Sequence, residues 1–111
     1  MDFHGMVEAF KALSSEKRVE IVRLLCERRR MCAGSIAREM EISPSSASQH
    51  LRVLRQAGLV NDCRCGNRIH YSISRENASA LSRMTDDLLD ISEIEEECGK
   101  IRECEQKKRG G

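Results

Sequence analysis

With 111 residues, 40% of them apolar, the chain can fill one domain with a modest core, and a fold of this size gains from burying surface against a second copy. Aromatics are confined to Phe3, Phe10 and Tyr71, with no Trp. That requires an aliphatic core and counts against base-stacking modules for single-stranded nucleic acid. The formal net charge of +1 conceals a segregation: residues 1–75 carry 13 Lys/Arg against 8 Asp/Glu, whereas residues 76–106 carry 3 against 10.

The basic part is the one suited to a polyanion, the alternative being a solvated mixed surface. The opening MDFHGMVEAF has no basic segment followed by a long apolar run, and no apolar stretch reaches bilayer-spanning length. The expectation is a soluble, cytoplasmic protein with no membrane partner. In such a reducing compartment Cys26, Cys32, Cys63, Cys65, Cys98 and Cys104 would serve as free thiols, metal ligands or redox sensors rather than a disulfide framework.

In chain order, residues 6–13 predict a short amphipathic helix with Met6, Val7, Phe10 and Leu13 on one face. Ser14-Ser15-Glu16 restarts the chain as a cap, and a second helix runs to about Arg28 with Val19, Val22, Leu25 and Cys26 at helical spacing. That spacing makes Cys26 a core filler. A third helix covers 33–40, Ile36, Ala37 and Met40 inward. Ser43 then caps a fourth helix from Pro44 to Ala57, with Pro44 at its first position and Gly58 as its stop. Ala47, Leu51 and Leu54 form the buried stripe of this helix.

After Gly58 the periodicity changes to two: Leu59-Val60, then Ile69, Tyr71 and Ile73, with Gly66-Asn67 as a hairpin turn between them. A helical pattern returns from Glu76 to about Gln106 through Leu81, Met84, Leu88, Ile91, Ile94, Cys98 and Ile101. No repeat or Gly/Ser linker divides the chain. The expected organisation is a single domain over 1–106 and a disordered basic tail over 107–111. The fold class is mainly α with a small β-hairpin wing (α+β), a winged helix-turn-helix ordered as four helices, two strands and a fifth helix.

Residues 33–57 satisfy the demands of a helix-turn-helix: two short helices, a tight turn, and a second helix open enough to enter a major groove. The outer face of that second helix carries Ser45, Ser46, Ser48, Gln49, Arg52 and Arg55. Small hydroxyls allow close backbone approach and donate to phosphates, Gln suits adenine, and Arg suits guanine or phosphate. A solvent-facing helix with a Ser-rich first turn is the alternative. His50 has two roles open to it: contact with a phosphate or base, or packing against the wing. Arg64 and Arg68 flank the wing turn, where Arg suits a narrow, negative minor groove.

The run from Ser43 to Val60, SPSSASQHLRVLRQAGLV, resembles the recognition helix and wing entry of the ArsR-type winged-helix regulators. Phe10–Arg18 is similar to that family's entry to its second helix, and Gly66–Ile73 to its wing. The resemblance covers roughly residues 6–95. It implies a homodimeric, non-enzymatic repressor on double-stranded operator DNA, released when it binds a thiophilic metal(loid) or is oxidised. Many relatives use a Cys-x-Cys in the third helix; here Cys32 stands at the first ligand position and Gly34 replaces the second. The family's other site uses His and carboxylates on the last helix, and no His follows His70.

The C-terminal seam, flanked by Asp86, Asp87, Asp90, Glu93, Glu95, Glu96 and Glu97, would stay wet on an isolated helix. Pairing of the first and last helices with a second copy would bury it. Two recognition helices would then stand about 34–36 Å apart over a palindromic operator.

Cys98 and Cys104 differ by about 120° around a straight helix. They converge only if the chain bends or frays near Gly99, when Cys32 of a second subunit could add a third thiolate for As(III), Cd or Zn. Cys63 and Cys65 share one strand face about 6–7 Å apart, as redox groups or alternative ligands in the wing. Three readings of the cysteines stay open: metal(loid) sensing, thiol redox or reactive-sulfur sensing, and no sensing role. A reading of another class is a protein-interaction module that has lost operator binding. Among enzyme motifs there is no phosphate-cradling Gly loop, nucleophile elbow or His-Glu-x-x-His.

Overall fold

A computed structural model of the chain describes residues 1–95. Helix α1 (Phe3–Ala12) begins three residues before the amphipathic stripe, because Asp2 Oδ1 accepts from the Gly5 amide at 2.8 Å and caps it. Ser15 caps α2 (Glu16–Arg28), which ends where Arg29 takes a positive φ of 72°. A two-residue strand β1 (Met31–Cys32) leads into α3 (Ala33–Met40). Glu41 ends α3 in the left-handed region, and Ser43 opens α4 (Pro44–Gln56) by accepting from the Ser46 amide at 3.0 Å. Strands β2 (Val60–Cys65) and β3 (Arg68–Ile73) form the hairpin about Gly66-Asn67, and α5 (Arg75–Leu88) follows, capped by Ser74.

The element order departs from expectation at β1. The sheet has three antiparallel strands in the order β1-β3-β2, Met31 pairing with Tyr71 and Cys32 with His70. Two residues are too few to show a period, and Met31 is fixed by burial rather than by propensity.

Helix α5 also departs from expectation, stopping at Leu88 rather than continuing through Ile91 and Ile94. Its last turn holds no basic residue, while Asp86 and Asp87 oppose the negative end of the helix dipole. Asp90 Oδ1 then accepts from the Ser92 amide at 3.0 Å, a local turn that competes with helix. Cys98, Cys104 and the tail 107–111 lie outside the described residues.

The core joins Ile21 and Leu25 of α2, Ile36 of α3, and Ala47, Leu51 and Leu54 of α4, every one of them at most 1% exposed, with Leu59 and Val60 closing it beneath the sheet. Each fully buried Leu or Ile contributes roughly 1.5–3 kcal/mol. Cys26 lies elsewhere: it is exposed, beside rather than within the core, because Ile21 and Leu25 define the inward face of α2.

The junction between α4 and the wing is set at Gly58. Its φ of 81° belongs to the left-handed region, and a Cβ there would meet Asn77 Nδ2 at 3.0 Å. That same amide nitrogen donates to the Gly58 carbonyl at 2.8 Å, tying the start of α5 to the end of α4. Gly58→Ala should therefore destabilise the fold by more than about 1 kcal/mol, read as a lower urea midpoint at unchanged slope.

Candidate nucleic-acid interface

Burying Ala47, Leu51 and Leu54 fixes the rotation of α4 about its axis, so the opposite side of the helix faces out. Ser45, Ser48, Gln49, Arg52 and Arg55 are exposed and Ser46 is half-buried on the flank. The turn before α4 and the Ser43 cap place Ser45 and Ser46 in its first turn, where the positive end of the helix dipole favours a phosphate. On the wing, Arg64 and Arg68 are both exposed at the hairpin end.

His50 stands apart from this outer face. It is half-buried and turned toward α2, where the Arg18 guanidinium donates to its Nδ1 at 3.4 Å. Of the packing partners open to it, the structure gives α2 rather than the wing. Arg18 in turn donates through Nε to the Ala12 carbonyl at 2.6 Å, so one side chain links the end of α1 to the middle of α4. The sequence reading did not single out Arg18. Its position beside the Ser14-Ser15 cap, between two helix ends, was the available signal.

Cys32 stands at the N-cap position just before α3, with no side-chain capping bond, and its Sγ is 3.2 Å from Ser35 Oγ. Hydrogen bonds from the Ser35 side chain and backbone hold the Cys32 thiol below its ordinary range. Gly34, not a second thiol, is the residue two positions on, and among the described residues no three His, Cys, Asp or Glu side chains converge to hold a metal.

Cys63 and Cys65 converge more than their spacing suggested: the two sulfurs are 3.9 Å apart. The neighbouring Cys65, by hydrogen bond and then by charge, pushes the Cys63 thiol up. Arg30, which precedes β1, donates to Cys65 Sγ at 3.3 Å. The register sets His70 opposite Cys63 on one side and Cys32 on the other, and Arg68 opposite Cys65. Directly opposed residues share a face, so this row lies on the side of the sheet away from Met31, Tyr71 and Ile73. The two-residue turn at Gly66-Asn67 already implies the pairing of His70 with Cys63.

Taken together, a core-anchored α4 with an open polar face and an Arg-bearing hairpin define a winged helix-turn-helix DNA-binding domain. Residues 15–62 match the model of the bacterial regulatory proteins of the arsR family. The chain is 32% identical over 74 residues to the arsenical resistance operon repressor of Bacillus subtilis (strain 168), covering 67% of this chain and 70% of that protein. It is 35% identical over 74 residues to the arsenical resistance operon repressor of Escherichia coli (strain K12), covering 67% of this chain and 63% of that one, just under two thirds. A solution structure from Mycobacterium bovis, a homodimeric winged helix-turn-helix DNA-binding domain of a possible ArsR-family transcriptional regulator, superposes with a TM-score of 0.65 at 27% identity over 83% of each chain. The chain belongs to the arsR family of bacterial regulatory proteins. It is accordingly a DNA-binding transcriptional regulator and not an enzyme. None of the described helices is long and apolar enough to cross a membrane.

Burial, followed by the charges of Arg18 and Lys17, holds the His50 imidazole below its ordinary value of 6.5. The unfolded chain therefore takes up this proton first as pH falls. The contribution of His50 to stability is full above 6.5 and declines as pH drops through and below it. Replacing Arg18 with Ala should raise the His50 value toward the ordinary one, measured by NMR titration of the ring protons.

Proposed function

We propose that two copies of this chain bind a palindromic operator in the cytoplasm, each laying α4 in a major groove, and release it when a thiophilic metal(loid) ion is captured. The observation that carries this reading is the division of α4 into a fully buried apolar stripe and an exposed face that carries Ser45, Ser48, Gln49, Arg52 and Arg55. Ser45, Ser46 and Ser48 serve the phosphates, Gln49, Arg52 and Arg55 reach base edges or backbone, and Arg64 and Arg68 follow the adjacent minor groove. His50 braces α4 from behind through Arg18.

The dimer is supported by what the single chain leaves uncovered. Phe3, Val7 and Phe10 of α1 are 73%, 46% and 40% exposed, and α5 has no buried residue at all. Between these helices an apolar groove of about 300 Å³ is lined by Phe10, Leu13, Val22, Ile73 and Leu81. Pairing of α1 and α5 with a second copy covers these residues and keeps the acidic end of the chain away from DNA.

For the inducer, soft thiolates select soft ions, and both curated relatives described above are repressors of arsenical resistance operons. Cys32 supplies an acidified thiol. A three-sulfur set for arsenite built on it draws on Cys98 and Cys104.

Gln49→Ala or Ser48→Ala should weaken binding to the promoter of the protein's own operon by about 1–3 kcal/mol without altering the unfolding curve; an unchanged anisotropy titration would remove α4 as the reader. The Cys98→Ser/Cys104→Ser variant should still bind that DNA but no longer release it with arsenite. The same assay with peroxide or a polysulfide separates this reading from thiol oxidation, which would free the DNA with no ion present.

A further inference from the structure

Three features of the outer sheet face coincide. The sulfurs of Cys63 and Cys65 are 3.9 Å apart. His70 is the residue directly opposite Cys63, at a ladder position where facing Cβ atoms are about 4.5–5.5 Å apart. His70 Nδ1 is buried with no hydrogen-bond partner, an arrangement that costs free energy unless something else satisfies it.

The sulfur separation discriminates between two uses of the pair. A disulfide needs the sulfurs at about 2.05 Å, and residues two apart on a strand put their Cα atoms about 6–7 Å apart, at the outer edge of what a disulfide spans. A tetrahedral cation with metal–sulfur bonds of about 2.3 Å holds its two sulfurs about 3.8 Å apart. The pair already stands near the second value.

We propose that Cys63, Cys65 and His70 form a site for a soft, four-coordinate divalent cation of the zinc and cadmium class on the outer face of the wing, with water as fourth ligand. Because no three donors converge yet among the described residues, His70 completes the set by turning about its side-chain torsions, which takes Nδ1 out of its unpartnered position. Both thiols lose their protons to solvent as the cation enters. One dication replaces two protons, and the net charge of the site stays unchanged.

The effect on DNA must then be geometric. The cation displaces Arg30 from Cys65 and locks the strand that carries Arg64, which lies between the two sulfur ligands. The site itself is independent of the operator reading; only this coupling rests on it.

The test uses the full chain with Cys98→Ser and Cys104→Ser, titrated with Cd²⁺ alone while thiolate-to-cadmium charge-transfer absorption is followed. One equivalent should saturate the signal. Adding Cys63→Ser and Cys65→Ser should abolish it, and His70→Asn should weaken Cd²⁺ binding while the sulfur absorption survives at saturation. Absorption that persists without Cys63 and Cys65, or that never develops in the starting variant, overturns the site; an unchanged affinity in His70→Asn overturns the third ligand. Anisotropy on promoter DNA is the separate arm. A starting variant that binds Cd²⁺ but never binds DNA would refute the operator reading and leave the site standing. One that binds DNA equally well with and without Cd²⁺ would refute the coupling.

Discussion

The structure depends on how α4 is held. Leu51 and Leu54 are fully buried against Ile21, Leu25 and Ile36, and Ala47 is small enough to bring α3 close beneath the first turn of α4. A one-position rotation of the helix would pull these side chains into water, at a cost of several kcal/mol. The polar face is therefore not only exposed but fixed in direction, as recognition by a rigid element requires.

The surrounding elements follow from that constraint. Ser43 and Pro44 begin the helix where the Glu41 turn delivers the chain, and Gly58 and Asn77 end it where the wing must start. Arg18 crosses from α2 to meet His50 on the half-buried flank, so the side of α4 away from DNA has a polar brace as well as an apolar one. The wing is tied to the same core at its base through Val60, while its far end carries arginines and thiols into solvent. That geometry puts any chemistry at Cys63 and Cys65 beside the DNA-facing arginines rather than beside the dimer helices.

Much of the fold was legible because strong local signals agreed. Ser43-Pro44, the Ala47/Leu51/Leu54 spacing, Gly58 and the Gly66-Asn67 turn each favour one conformation, and together they specify the helix-turn-helix and hairpin. The missed features are those decided by tertiary context. Met31 joins the sheet through burial, which no two-residue pattern reveals. Apolar spacing continues past Leu88, but the Asp90–Ser92 turn and the acidic last turn override it. Cys26 keeps helical spacing with core residues yet lies just outside the arc that Ile21 and Leu25 bury. For the candidate site, the open face of α4 could be read directly, whereas the row Cys32–His70–Cys63 required the third strand to exist.

The central claim is that the outward face of α4, with the wing, is the surface that meets DNA. Amide chemical shifts recorded before and after addition of the chain's own promoter DNA test it residue by residue. The account predicts large changes from Ser45 through Arg55 and along residues 61–70, with α1 and α5 little affected. Changes concentrated on α1 and α5, with α4 silent, would contradict it.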